Sequence, residues 1–117
     1  MTYHFNEDDL RAIRDVVGPE SVVTDHGTLD KYDRDASYLS IRPDVMIMAG
    51  SVRRISDLLK LANVRKFPVV PRAGGTGLAG GCLPLSGGVV LNLSPMNRIS
   101  AIDANNLLAE VQAGVIT

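Results

Sequence analysis

The feature that most constrains this chain is a run of glycines set directly after an apolar stretch. Seven of the eleven glycines fall between Gly74 and Gly88, in Arg72-Ala73-Gly74-Gly75-Thr76-Gly77-Leu78-Ala79-Gly80-Gly81 and its continuation. Glycine reaches positive φ and lets backbone approach a ligand closely, so such a run forms a loop, not a helix or strand. Successive N–H groups there can converge into a concavity suited to a pyrophosphate, and the Thr76 hydroxyl adds one donor. A flexible loop whose glycines merely avoid clashes has the same composition. The run by itself does not separate the two.

Its flanks eliminate two familiar phosphate loops. Gly75-Thr76-Gly77-Leu78-Ala79-Gly80 matches G-x-G-x-x-G, a pattern that works when its last glycine opens a helix whose N-terminus meets the pyrophosphate. Here Gly81-Cys82-Leu83-Pro84-Leu85-Ser86-Gly87-Gly88 follows. Pro84 and three glycines cannot sustain that helix. The acid expected about 20 residues further on would be Asp103, which sits in an apparent turn. No lysine follows the glycines, which removes a P-loop.

Around this loop the pattern is mixed. Asn6 with Asp9 three residues on reads as a capped helix start, and Leu10, Ile13, Val16 and Val17 recur at helical spacing until Gly18-Pro19. Val22-Val23 reads as a short strand. Gly27 to Arg42 is polar, a surface connection with one helical turn and packing points at Leu29, Tyr32, Tyr38 and Leu39. Val45-Met46-Ile47-Met48 predicts a strand covered on both faces. Ser51 then caps a helix with Ile55, Leu58, Leu59 and Ala62 on one face, reaching about Lys66. Pro68-Val69-Val70 completes a parallel strand–helix–strand unit. Gly88 to Leu93 is a further apolar strand, and Ile99–Ile102 with Leu107–Gln112 predict a hairpin turning at Asp103-Ala104-Asn105-Asn106. The expected fold class is α+β with an α/β-like first half: a small parallel sheet flanked by helices, then antiparallel strands.

Composition narrows the function classes. Residues 1–44 hold ten acids and five bases, whereas 45–117 hold three acids and seven bases. The second half can attract an anion, although two differently solvated faces give the same asymmetry. Four of its bases, Arg53, Arg54, Arg65 and Lys66, belong to one helix surface, and aromatics are 4% of the chain. That is too diffuse and too poor in stacking platforms for a nucleic-acid partner. The lone Cys82 makes no internal disulfide, and no Cys/His cluster has metal-ligand spacing. No membrane association is indicated, and a cytoplasmic location is expected.

Read with its flanks, Val69-Val70-Pro71-Arg72-Ala73-Gly74-Gly75-Thr76-Gly77-Leu78-Ala79-Gly80-Gly81-Cys82-Leu83-Pro84 resembles the FAD-binding loop of FAD-linked oxidases and dehydrogenases. These form the vanillyl-alcohol oxidase/p-cresol methylhydroxylase superfamily, and the likeness is to its glycolate oxidase, D-lactate dehydrogenase and D-2-hydroxyglutarate dehydrogenase group. Arg42-Pro43-Asp44-Val45, Met96-Asn97-Arg98-Ile99 and Val111-Gln112-Ala113-Gly114-Val115 agree with it. The resemblance implies residues 1–37 as a helical lead-in and 38–117 as an FAD-binding domain cut short on its C-terminal side. It implies an extended FAD whose pyrophosphate meets Arg72, Ala73, Gly74, Gly75, Thr76, Gly77, Leu78, Gly81 and Cys82. Cys82 equally reads as a small residue packed beneath the loop, and Asn97-Arg98 reads as a turn.

Some members attach the flavin through a loop histidine. This loop carries Ala73 and no histidine, with His4 and His26 far upstream, so non-covalent FAD is expected. The implied reaction is oxidation of a 2-hydroxy acid by hydride transfer to flavin, with catalytic residues outside this chain and no metal site within it. Partners would be that small-molecule substrate and other polypeptides of an oxidase complex or a second copy. A non-catalytic nucleotide-binding module and an inactive fragment are the competing expectations.

Overall fold

In the computed structural model, which describes residues 2–117, the first helix α1 spans Glu7–Val17. Asn6 opens it through a reciprocal cap: the Asn6 side chain accepts from the Asp9 N–H at 2.9 Å, and the Asp9 carboxylate accepts from the Asn6 N–H. Gly18 ends it. Strand β1 (Val22–Val23) and a single helical turn α2 (His26–Leu29) follow, α2 capped by Asp25. Strand β2 (Val45–Met48) leads to α3 (Val52–Arg65), whose Ser51 cap accepts from the Arg54 N–H and whose end is set by Lys66 in left-handed conformation. Strands β3 (Val69–Arg72) and β4 (Val89–Asn92) complete the first half. Strands β5 (Ile99–Asp103) and β6 (Leu108–Val111) form the second.

The first four strands form one sheet in the order β1-β2-β4-β3. Strands β2, β4 and β3 are parallel, and β1 joins the edge antiparallel to β2. The strand–helix–strand unit is parallel as expected, but β4 inserts between its two strands. The central strand is therefore supplied by the segment after the glycine loop.

Alternation along β2 and β4 decides the layers. Val45, Ile47, Val89 and Leu91 face α1 and α3, where they pack with Ile13, Val17, Leu58, Ala62 and Phe67. Met46 and Val90 point to the opposite side and pack with Leu29. Each such fully buried aliphatic side chain stabilises the fold by about 1.5–3 kcal/mol. Leu29 and Tyr32 pack as expected, but Tyr38 and Leu39 are exposed. The Ile41 N–H bonds the Asp33 carbonyl at 2.7 Å and closes a loop on which Tyr38 is fully exposed, while Leu39, half exposed, lies close to Gly80. Leu59 is half exposed because it lies on the flank of α3, beside the inward Leu58 and Ala62.

One buried ion pair ties α1 to α3. The Asp9 carboxylate, almost fully buried, accepts from Arg65 Nη1 at 2.9 Å and from the Tyr3 hydroxyl at 2.8 Å. Burial works to raise its pKa; the bonds from Tyr3, Arg65 and the Asn6 backbone together outweigh burial and leave it below the ordinary 3.8.

Candidate functional site: a glycine loop at the ends of the parallel strands

Strands β2, β4 and β3 end in register, with Met48 opposite Asn92 and Asn92 opposite Arg72. Ligands of open parallel sheets bind at this carboxyl edge. The glycine loop leaves from it, directly after Arg72. No helix forms between Arg72 and β4, so the G-x-G-x-x-G match is not a Rossmann turn, as the flanks predicted.

Ala73, Gly74, Gly75, Thr76, Gly77, Leu78, Gly81 and Cys82 line one cleft of about 370 Å³, together with Ala79 and Asp35. Eight of the nine residues expected at the site are thus brought together. The ninth, Arg72, lies outside the lining, 7% exposed. Its Nη2 donates to the Arg34 carbonyl at 2.7 Å, its Nη1 to the Tyr32 carbonyl at 3.3 Å and to Cys82 Sγ at 3.6 Å, and its guanidinium lies over the Tyr32 ring. Cys82 is therefore both a lining residue and a contact of the group behind the loop.

The loop is fastened from behind and free in front. The Gly77 carbonyl accepts from the Ala36 N–H at 2.9 Å, and the Gly80 N–H donates to Asp35 Oδ2 at 2.9 Å. Bonds from Ser37 and from the Gly80 amide hold the Asp35 carboxyl below the usual aspartate range. In contrast, the N–H groups of Gly74, Gly75, Thr76, Gly77 and Leu78 have no protein acceptor among the described residues. Gly75 has φ +70°, and a Cβ there would run into the Arg72 guanidinium. Only glycine lets the backbone turn at that point with a cation directly beneath it.

A second cleft, of about 330 Å³, shares Gly74 with the first and is otherwise lined by Ser94, Asn97, Gly114, Val115 and Ile116. Gly74 and Thr76 also face Val115, Ile116 and Thr117. Gly74 thus borders both clefts. The far bank of the second is built by close approach: the Gly114 N–H donates to the Met96 carbonyl at 2.8 Å, and a Cβ on Gly114 would overlap the Leu93 carbonyl. Asn97 lines this cleft; its neighbour Arg98 is pinned as part of a turn, with its N–H on Gln112 Oε1 at 2.9 Å.

Sequence reasoning passed over Asp35, Ser94 and Ile116 as site residues, and it took Asn97 for a turn residue only. Asp35 lies far from the loop in the chain and carries no local signal beyond an Asp-x-Ser turn, in which its Oδ1 accepts from the Ser37 N–H. Ser94 and Ile116 reach the site only through the register of β4 and the Gly114 contact. Among the described residues no group of His, Cys, Asp and Glu side chains is placed to hold a metal ion, and no helix is long and apolar enough to cross a membrane.

Comparison with known proteins accounts for this arrangement. Residues 43–117 match the family described as FAD binding domain. The chain belongs to that family of FAD-binding domains. It is 44% identical to the glycolate oxidase subunit GlcD of Bacillus subtilis over 86 residues, 74% of this chain and 18% of that protein. It is 38% identical to a D-lactate dehydrogenase of Anaerostipes hadrus over 85 residues, 73% of this chain and 18% of the relative. Among solved structures it superposes on substrate-bound p-cresol methylhydroxylase with a TM-score of 0.81 at 22% identity, covering 98% of this chain and 24% of that one. A 4-ethylphenol oxidase of Gulosibacter chungangensis, in complex with isoeugenol, gives 0.79 at 28% identity over 92% of this chain and 22% of that one. The chain therefore spans about a fifth of the length of the curated relatives it matches.

The residues present fit the family's cofactor. A pyrophosphate needs several converging donors and little side-chain bulk, and the loop offers five unbonded amides between Gly74 and Leu78. Gly77 and Gly81 meet nothing within 4 Å on the side where a Cβ would stand. The loop has no histidine for a covalent link, which agrees with non-covalent FAD.

Proposed function

We infer that this chain is the FAD-holding part of a flavin-dependent oxidoreductase that oxidises a 2-hydroxy acid. The observation that carries the cofactor half is that the residues from Gly74 to Leu78, whose amides have no protein acceptor among the described residues, line a cleft at the carboxyl edge of a parallel sheet. Those amides, with the Thr76 hydroxyl, would hold the pyrophosphate, and Ala73, Gly81 and Cys82 would shape the cleft wall around it. When bound, FAD supplies the hydride acceptor for such an oxidation, and this chain supplies binding and orientation. The substrate half is supported by the relatives named glycolate oxidase subunit and D-lactate dehydrogenase. The word subunit in the first of these names supports a multi-protein oxidase as the working assembly.

Because the recognition is of phosphate, FAD should bind this chain far more tightly than riboflavin, and Gly75→Val should lower FAD affinity more than tenfold. An L side chain forced to the left-handed region costs about 1–2 kcal/mol before its clash with Arg72 is counted. For the substrate, the full-length protein that carries this segment is assayed with glycolate, D-lactate and D-2-hydroxyglutarate and a dye acceptor. Turnover of one of them is the expected result. Turnover of a phenol with none of the three would overturn the substrate class and leave the cofactor assignment standing.

A further inference from the structure

A cation buried behind a phosphate loop invites the reading that it is a phosphate ligand. The geometry here gives Arg72 a different task. Its guanidinium is buried beneath Gly75, and its bonds run backward, to the carbonyls of Tyr32 and Arg34 and to Cys82 Sγ. No carboxylate among the described residues pairs with it. A buried charge without a counter-charge is costly unless well hydrogen-bonded, so its place here calls for a reason.

We propose that Arg72 is a positioning residue for the cofactor: its planar fork clamps residues 32–34 under the glycine loop and so fixes the direction of the Gly74–Leu78 amides. Asp35 closes the same clamp at its other end. Its Oδ2 takes the Gly80 N–H, while the adjacent Ala36 N–H takes the Gly77 carbonyl. Between these points the loop cannot turn its amides inward, because its backbone is tied at Gly77 and Gly80 and its floor at Gly75 is filled by the guanidinium. The charge of Arg72 lies beneath Gly75, where it would favour an anion held by the loop. Lysine keeps the charge but has no planar fork to span two carbonyls.

This inference rests on the assignment of FAD to the loop, and its test is read partly without any ligand. Backbone amide NMR of the chain is compared for wild type, Arg72→Lys, Arg72→Met and Asp35→Asn. Arg72→Lys and Arg72→Met should move or broaden the amides of Ala73–Leu78 and of Tyr32–Ala36 while those of α1 and α3 stay in place. The FAD-to-riboflavin affinity ratio should fall by roughly tenfold or more, the scale of losing a group that supports first-contact ligands, and lysine should restore little of it. A loss of global stability alone would not move that ratio. Asp35→Asn, which leaves Arg72 intact, should disturb the same loop amides and covers the case in which the Arg72 variants do not fold. Unmoved loop amides in Arg72→Lys or in Asp35→Asn, or full rescue of the ratio by lysine, would overturn the proposal. Failure of wild type to prefer FAD over riboflavin would instead count against the cofactor assignment.

Discussion

The two sheets of this molecule are opposites. Every residue of β4 is buried, and β2 is covered on both faces by α1 and α3 on one side and by Leu29 and its neighbours on the other. Every residue of β5 and β6 is exposed. Yet the hairpin is not uniformly polar. A bulge between Ile99 and Ala101 brings Ile99 and Ile102 to one face, opposite Val111 and Ala109, while Asp103 and Glu110 share the other face with Ala101 and Leu108. The parallel sheet is a finished core that aims a loop. The hairpin is a patterned surface held by its own ladder and by the Gly114 contact.

The contrast can be broken first in the core. Ile47→Asp places a charge at a site 1% exposed; such a buried, unpaired charge costs at least about 4 kcal/mol, a large share of a small domain's stability. Loss of the cooperative thermal transition is expected, and a variant melting near wild type would refute the two-sided burial. Next comes the helix-to-helix tie. Asp9→Ala leaves Arg65 without its partner and removes the carboxylate half of the α1 capping box, while the Asn6 cap on the residue-9 N–H stays, so a loss of about 2–4 kcal/mol is expected in denaturant titration.

The same carboxylate sets an acid limit. Its folded pKa lies below the ordinary 3.8, so its contribution is fully present above that value and is lost as pH falls through the lower, folded value. Wild type should therefore weaken on acidification below about pH 4 more steeply than Asp9→Asn. Equal slopes would remove Asp9 from the account.

The hairpin should respond weakly. Ile102→Ser lies at a residue 73% exposed and should change stability by no more than about 0.5 kcal/mol while reducing any self-association. Leu107, at φ +56° and 89% exposed, carries backbone strain, so Leu107→Gly should gain up to about 1 kcal/mol. A gain is expected even though the leucine is apolar, and a loss of that size would show a packing role in the turn.

Much of this was legible in the sequence because the deciding signals are local. Asn6 with Asp9, Ser51, and the Asp103–Asn106 turn act within four residues of chain. The apolar runs of β2 and β4 are long enough to announce burial on both faces. The loop was legible for a stronger reason: Pro84 and the glycines rule out a following helix, and the extended likeness names the family. What stayed hidden depends on strand order and distant approach. Nothing near Asp35 shows that it reaches Gly80, and nothing in the loop shows that Arg72 turns its guanidinium back toward Arg34. Tyr38 is not the anchor that an apolar residue in a polar segment suggests, because the 33–41 loop leaves it in solvent, whereas Leu39 is half exposed beside Gly80.

The most direct test of the central claim is an equilibrium titration of this chain with FAD, ADP and riboflavin, followed by flavin fluorescence or by competition, for wild type and Gly75→Val. Pyrophosphate recognition by the loop predicts that FAD and ADP compete for one site, that riboflavin binds at least tenfold more weakly, in line with loss of the pyrophosphate contacts, and that Gly75→Val abolishes the difference. Riboflavin binding as tightly as FAD, with Gly75→Val indistinguishable from wild type, would contradict it.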